Sequence, residues 1–287
     1  MSAQASTLSQ RFVPQVQPAG SAMARNAAPS GEYIIKLAEA QGVLAQAAAQ
    51  YAAAPGDNGP DGVVKGVATV TQASSLGAED VVISHLINSL KLDIGIFVLE
   101  TGALHPETLA LLERFKASSR APVSVYQPLA ESVVQFVTRE GKDAMYKSMA
   151  LRKACCGIRK MEPLERALQG KDAWITGLRR EQSGARADVP LVDTSEPRVK
   201  INPLANWTWG DVWHYIQTHG LDYNALHDQF YPSIGCEPCT RAVSLGEDFR
   251  SGRWWWEAAL DGGAAKECGL HVKTAEHSAE PQPGANA

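Results

Sequence analysis

The chain is predicted to be an α/β protein built on a parallel sheet. Four short apolar runs of strand length carry that prediction: GVATVT at 66–71, DIGIFVL at 93–99, PVSVY at 122–126 and AWITG at 173–177. Segments of helical character stand between them. Turns marked by Gly or Pro punctuate the alternation, as at Ser74 to Gly77 and Thr101-Gly102. Strands alternating with helices form parallel sheets covered on both faces. Ligands of such sheets bind beyond the carboxyl ends of the strands.

Taken in order, residues 1–30 are rich in Ala, Gln, Ser and Pro and lack apolar periodicity, so they are expected to form a disordered tail. An alanine-rich helix is expected over 32–54, ended by Pro55-Gly56, and GDNGPDG at 56–62 is a loop. The first strand leads through the Ser74–Asp80 turn into an amphipathic helix over 80–90. After the second strand, Pro106 occupies the first turn of a helix that starts near His105. A further helix follows the third strand from about Leu129. Later, Thr208 is an N-cap for a helix that puts Trp209, Val212, Trp213 and Ile216 on one face. The expected units are a tail at 1–30, an α/β domain at 31–245, and a C-terminal segment at 246–287 that is disordered after about 272.

Composition narrows the function. The net charge is −4 and the pI about 6.0, so a general nucleic-acid surface is not expected. The basic residues are clustered: Arg152, Lys153, Arg159 and Lys160; then Arg179, Arg180 and Arg186; then Arg241, Arg250 and Arg253. Local cationic pockets in an acidic chain fit a small anionic substrate better than a polymer. No apolar run approaches the ~20 residues of a membrane span, and residues 1–30 lack the apolar core of a secretory signal. A cytoplasmic location is expected. That compartment is reducing, so the five cysteines are expected to be ligands or catalysts rather than disulfides.

The cysteines fall in three places. Cys155-Cys156 and Cys236-Glu237-Pro238-Cys239 form two close pairs, and Cys268 stands alone. Four thiolates hold structural zinc or an iron–sulfur cluster. Zinc ligands in one segment are usually two to four residues apart. Adjacent side chains on a helix point about 100° apart, so the first pair suits a bulky cluster better than one ion. Cys268 lies two residues after Lys266 and three before His271. Nearby positive charge and exposure are what a thiolate nucleophile needs; the plain alternative is a surface cysteine near a chain end. The Ser75-x-Gly77 turn offers backbone N–H groups to an anion, as many strand-to-helix turns do. Arg179, Arg180 and Arg186, directly after a strand, could clamp phosphate or sulfate with fork-shaped donors. In RWWWE at 253–257 the tryptophan rings read as core, and Arg250 and Arg253 as anion contacts.

The stretches SSLGAEDVV, LETGALHPET, KACCGIRKMEPL, ITGLRREQSGAR, INPLANWTWGDVW, YPSIGCEPCTRA and GRWWWEAALDGGAAKECGLH together resemble the assimilatory sulfonucleotide reductases. Within that family the chain is similar to the cluster-containing adenylyl-sulfate (APS) reductases, relatives of the PP-loop ATP pyrophosphatases. Two turns depart from the family's usual form: SFG reads SLG here, and LDTG reads LETG. The resemblance implies a sheet sandwich of the PP-loop (adenine nucleotide alpha hydrolase) type, with the nucleophile on a flexible C-terminal segment. It implies a [4Fe-4S] cluster on Cys155, Cys156, Cys236 and Cys239, Cys268 as nucleophile, and His271 near the substrate. Lys160, Arg186, Arg250 and Arg253 would bind the phosphosulfate, beside the Arg179 cluster. Ser75, Gly77, Glu79 and the Leu99-Glu100-Thr101-Gly102 turn would hold the adenosine.

The activity so implied is reduction of adenosine 5′-phosphosulfate to sulfite and AMP through a Cys268 S-sulfonate, in sulfate assimilation and cysteine biosynthesis. Thioredoxin, or a glutaredoxin-like dithiol, would be the reductant. Relatives that act on the 3′-phosphorylated substrate generally lack the four cluster cysteines, so their presence favours the unphosphorylated one. One rival is a tRNA-thiolating PP-loop transferase, which calls for an SGGxDS-like loop and a broader basic surface. Another is a zinc-stabilised binding module. The sequence sets no oligomeric state, and a homo-oligomer stays open.

Overall fold

The computed structural model describes residues 20–53, 68–244 and 246–259. Six strands form one sheet: β1 (Val70–Ser74), β2 (Gly95–Leu99), β3 (Val123–Tyr126), β4 (Ala173–Ile175), β5 (Val192–Asp193) and β6 (Val199–Ile201). Their order is β3-β2-β1-β4-β6-β5. All neighbouring pairs are parallel except β5 with β6. The order reverses between β1 and β4, which makes that junction the topological switch point.

One face of the sheet carries α2 (Tyr33–Gln50), α3 (Ala78–Ser89), α4 (Pro106–Ser118) and α8 (Trp209–His219). Leu44 of α2, Ile83 and Ile87 of α3, and Trp213 and Ile216 of α8 join Val70, Ile96 and Ile175 of the sheet in the main core. The opposite face packs Phe97 and Trp174 against Leu164, Ala167 and Leu168, from α7 (Glu162–Ala167) and the residue after it. Ile96 and Phe97 face opposite layers because side chains alternate along a strand. Two more helices, α5 (Ala130–Glu140) and α6 (Met149–Cys156), precede α7, and α6 runs directly into a π-turn at Gly157–Met161.

Local chemistry sets the helix ends. Thr208 Oγ1 accepts from the Asp211 N–H at 3.0 Å, and Asp211 Oδ2 accepts from the Thr208 N–H at 2.9 Å. This reciprocal cap satisfies two orphan donors of α8. Pro106 sits in the first turn of α4, where its missing N–H costs nothing.

The first strand lies later than the sequence pattern places it, at 70–74 rather than 66–71; residues 66 and 67 lie outside the described residues. Polar Gln72 masks it. That side chain is fully buried, donates to the Asp80 carbonyl at 3.0 Å and accepts from Ser84 Oγ at 2.9 Å. The strands β5 and β6 went unpredicted because two or three residues carry no periodicity.

Residues 20–30 correct the expectation of a disordered tail reaching Ser30; residues 1–19 lie outside the described residues. Residues 20–30 form α1 (Ala22–Asn26) and a return against α8. The Ala22 N–H donates to Asp228 at 2.6 Å, Arg25 donates to the His227 carbonyl at 2.9 Å, and the Ser30 N–H donates to Asp211 at 2.7 Å. The polar composition that reads as disorder is matched by acids 206 and 181 residues away. A Cβ on Gly210 would stand 2.1 Å from the Ala28 carbonyl oxygen. Gly210→Ala is therefore expected to lift this segment off α8 and cost about 1–3 kcal/mol of stability. Urea unfolding and limited proteolysis near residues 20–30 measure both effects; unchanged values for the two would refute the contact.

Candidate active site

A cleft of about 210 Å³ opens at the switch point. Ser74, Ser75 and Gly77 reach it from the end of β1, Leu99 and Thr101 from β2, and Thr176, Gly177 and Leu178 from β4. Lys160 enters from the π-turn, and Gly235, Phe249, Arg250 and Arg253 enter from the later loops. The structure thus brings together eight residues singled out in the sequence: Ser75, Gly77, Glu79, Thr101, Lys160, Arg186, Arg250 and Arg253.

The β1–α3 turn is held tightly. The Ser75 N–H and hydroxyl both donate to Asp80 Oδ2, each at 2.6 Å. Leu76 takes a left-handed φ of +59°, uncommon for a branched side chain. Its burial against Val98, Leu111 and Leu112 holds it there. Gly77 is the N-cap of α3, so the helix presents its amide end beside the cleft. Gly177 must be glycine for space, because a Cβ there would meet Asp80 Oδ1 at 2.5 Å.

Two expected ligand contacts take other places. Arg179 does not line the cleft: it is fully buried, with Nε 2.8 Å from Glu79 Oε1 and Nη1 2.7 Å from Glu181 Oε2. Its charge is consumed by the fold, and it positions Glu79 instead. Gly102 also lies off the cleft, in a neighbouring groove with Glu113 and Lys116. It serves as a turn residue, with φ +68° and its N–H donated to Glu100 at 2.7 Å.

Burial alone would raise the Glu79 carboxyl, but the Arg179 guanidinium and bonds from Arg179 and Gln182 outweigh it and hold the group below its ordinary range. Asp80, absent from the sequence-based candidates, moves the other way: burial pushes it up to about 6 against the two Ser75 bonds. Gln182 and His227 are further lining residues that the sequence did not single out. The cationic side is built around Arg253. Its Nη1 donates to the Ile234 carbonyl at 3.0 Å, and its guanidinium lies 4.9 Å from the Trp254 ring centroid. Gly235 leaves room for it, since a Cβ would meet the guanidinium at 2.2 Å. Among the adjacent tryptophans Trp254 is fully buried, while Trp255 and Trp256 are half-buried.

The cysteine pairs adjoin this cleft. The loop of Cys236 docks on the turn after β2: Glu237 N–H donates to the Ala103 carbonyl at 2.8 Å, and Cys236 Sγ lies 3.2 Å from Thr101 Oγ1. None of Cys155, Cys156, Cys236 and Cys239 is in a disulfide, and all but Cys156 are buried. Burial, helped by Cys236 and Cys155, pushes Cys239 up to about 12, against the pull of Lys160 and Arg253. Burial likewise raises Cys155 against Arg159 and Lys160. Three thiols and three cations thus act on one another across the joint of two distant segments. Among the described residues no three Cys, His, Asp or Glu side chains converge as ligands of one ion. Four thiolates drawn from two segments are a donor set that structural zinc and iron–sulfur clusters both use. Cys268 and His271 lie outside the described residues.

A doubly wound sheet with a cationic, glycine-walled cleft at its switch point defines an α/β protein of the nucleotide-binding class. The comparisons sharpen this. Residues 69–242 match the phosphoadenosine phosphosulfate reductase domain. Over 205 residues the chain is 48% identical to an adenosine 5′-phosphosulfate reductase of Allochromatium vinosum, covering 71% of this chain and 78% of that protein. Over 204 residues it is 49% identical to one from Burkholderia cepacia, covering 70% and 80%. The crystal structure of a phosphoadenylyl-sulfate (PAPS) reductase from Candida auris, in a phosphate complex, superposes with a TM-score of 0.55 at 25% identity, over 73% of this chain and 97% of that one. The chain belongs to the phosphoadenosine phosphosulfate reductase domain family.

Arg179→Met should strand the buried Glu79 charge and cost about 3–5 kcal/mol in urea unfolding; a loss below 1 kcal/mol would contradict the pairing. Asp80 predicts a pH effect. Its folded pKa, about 6, exceeds its ordinary 3.8, so its contribution is fully present below pH 3.8 and is lost as pH rises through about 6. The stability of the wild type relative to Asp80→Asn should therefore fall by up to about 3 kcal/mol between pH 4 and pH 7. A flat difference would show that the carboxyl is not held this way.

Proposed function

We propose that this chain reduces adenosine 5′-phosphosulfate to sulfite and AMP, with Cys268 as nucleophile and a dithiol protein of the thioredoxin type as reductant. The observation that carries this reading is the meeting of Lys160, Arg186, Arg250 and Arg253 in one cleft at the switch point. The cleft adjoins the buried thiols that share Lys160 and Arg253 with it. Fixed cations offset the repulsion between a thiolate and an anionic ester and stabilise charge in the transition state.

The Cys268 thiolate attacks the sulfuryl sulfur. The S–O bond to the phosphate breaks, AMP leaves with that electron pair, and Cys268 carries an S-sulfonate. A thiolate of the dithiol then attacks the Cys268 sulfur. Sulfite departs with the S–S bonding pair and a mixed disulfide remains. The second thiol displaces Cys268 and the reductant ends as a disulfide. Two electrons pass from dithiol to sulfur, so the balance closes without another donor.

Cys155, Cys156, Cys236 and Cys239 would hold a [4Fe-4S] cluster, for which four thiols outside any disulfide are a fitting donor set. Bound there, it would supply electrostatic polarisation toward Lys160 and no electrons. The cytoplasm is the compartment that keeps such thiols reduced. No helix among the described residues is long and apolar enough to cross a membrane.

After incubation with adenosine 5′-phosphosulfate, mass spectrometry should find one added SO3 group on Cys268, absent from Cys268→Ser. Anaerobically purified Cys268→Ser should keep the iron, the sulfide and the brown colour of the wild type. Absence of the adduct from the wild type would sink the mechanism, and zinc in place of iron and sulfide would sink the cluster assignment.

A further inference from the structure

His227 lies in the short turn Ala225–Gln229 and lines the cleft, yet no step above uses it. Its Nδ1 stands 2.8 Å from the Tyr231 carbonyl oxygen. A carbonyl only accepts, so the ring proton sits on Nδ1 and Nε2 keeps a bare lone pair. Trp209 and Trp213 pack edge-on against the imidazole, with centroids 5.9 and 5.3 Å away, so the ring cannot turn freely. The residue is 4% exposed, and Nε2 is buried with no hydrogen-bond partner among the described residues. Burial pushes the imidazole down to about 4, against the upward pull of Glu79, the Tyr231 bond and Asp228, so it is neutral near pH 7.

A dry, unpaired acceptor is costly to keep in a fold. Its surroundings say what would pair with it. Glu79 is near enough to act electrostatically on the ring, and its carboxylate, like Nε2, only accepts. This part of the cleft wall repels an anion and rewards a neutral donor. A nucleotide carries such donors on its nucleoside half, as sugar hydroxyls and a base amine. We propose that His227 Nε2 accepts a hydrogen bond from an O–H or N–H donor of the nucleoside, making His227 a specificity-determining contact. This rests on the nucleotide reading of the cleft.

The test is calorimetric binding of AMP, 2′-deoxy-AMP, 3′-deoxy-AMP and inosine monophosphate to the full chain, as wild type, His227→Phe and His227→Gln. The first two analogues lack one hydroxyl each and the third lacks the amine, so the arms identify the donor. The wild type should bind one analogue about ten-fold more weakly than AMP, the scale of one hydrogen bond. In His227→Phe that preference should vanish, with AMP falling to the level of the analogue. His227→Gln, which keeps an acceptor, should recover part of it. Equal affinity of the wild type for all four ligands would overturn the proposal even if both variants failed to fold. So would an undiminished preference in a folded His227→Phe. Failure of the wild type to bind AMP at all would instead overturn the nucleotide reading.

Discussion

The cleft depends on one buried ion pair. Arg179 leaves the sheet just after β4 and meets Glu79 in the first turn of α3, across the switch point. Removing both charges from water is expensive, and a bare pair would not repay it. Here Gln182 donates to Glu79 at 3.0 Å, and Glu181 and the Trp207 carbonyl take further guanidinium donors. The pair fastens the loops after β1 and β4 to each other, close enough for Gly177 to lie against Asp80. An anion entering the cleft meets donors already in position, which is how a site avoids reorganising as charge develops.

A second buried pair does the same for the thiol side. Arg152 grips Glu257 through two bonds, at 2.7 and 3.1 Å, and lies 4.5 Å from the Trp254 ring centroid. The helix that ends in Cys155-Cys156 is thereby moored to the last described turn of the chain, eleven residues before Cys268. The Cys236 loop is moored separately, to the turn after β2. Tertiary contacts, not spacing in the chain, thus assemble thiols from two segments around cations that also face the cleft. The acidic net charge of the protein is no obstacle, because a small ligand feels the local field.

Much of the layout was readable because it is local. Apolar runs such as IGIFVL at 94–99 advertise a strand covered on both faces, and Thr208 three residues before Asp211 advertises a helix start. The misreadings share a cause. Gln72 and Ser74 look unlike a strand, but their polar groups find partners inside the fold. Residues 20–30 look unlike structure, but Asp211 and Asp228 wait for their amides. Arg179 looks like an anion clamp, and a carboxylate claims it first.

The sequence by itself determined the α/β alternation, the capped helix at Thr208, the set of four paired thiols and the supply of cations, because these follow from local pattern and from the chemistry of each side chain. Only the tertiary structure decided how they are used. It spent Arg179 on Glu79, 100 residues away in the chain, brought Arg253 to the cleft wall, raised the Asp80 carboxyl and sealed His227 Nε2 away from water. Charge state and pairing depend on burial and on distant neighbours, and neither is written into any one stretch of chain.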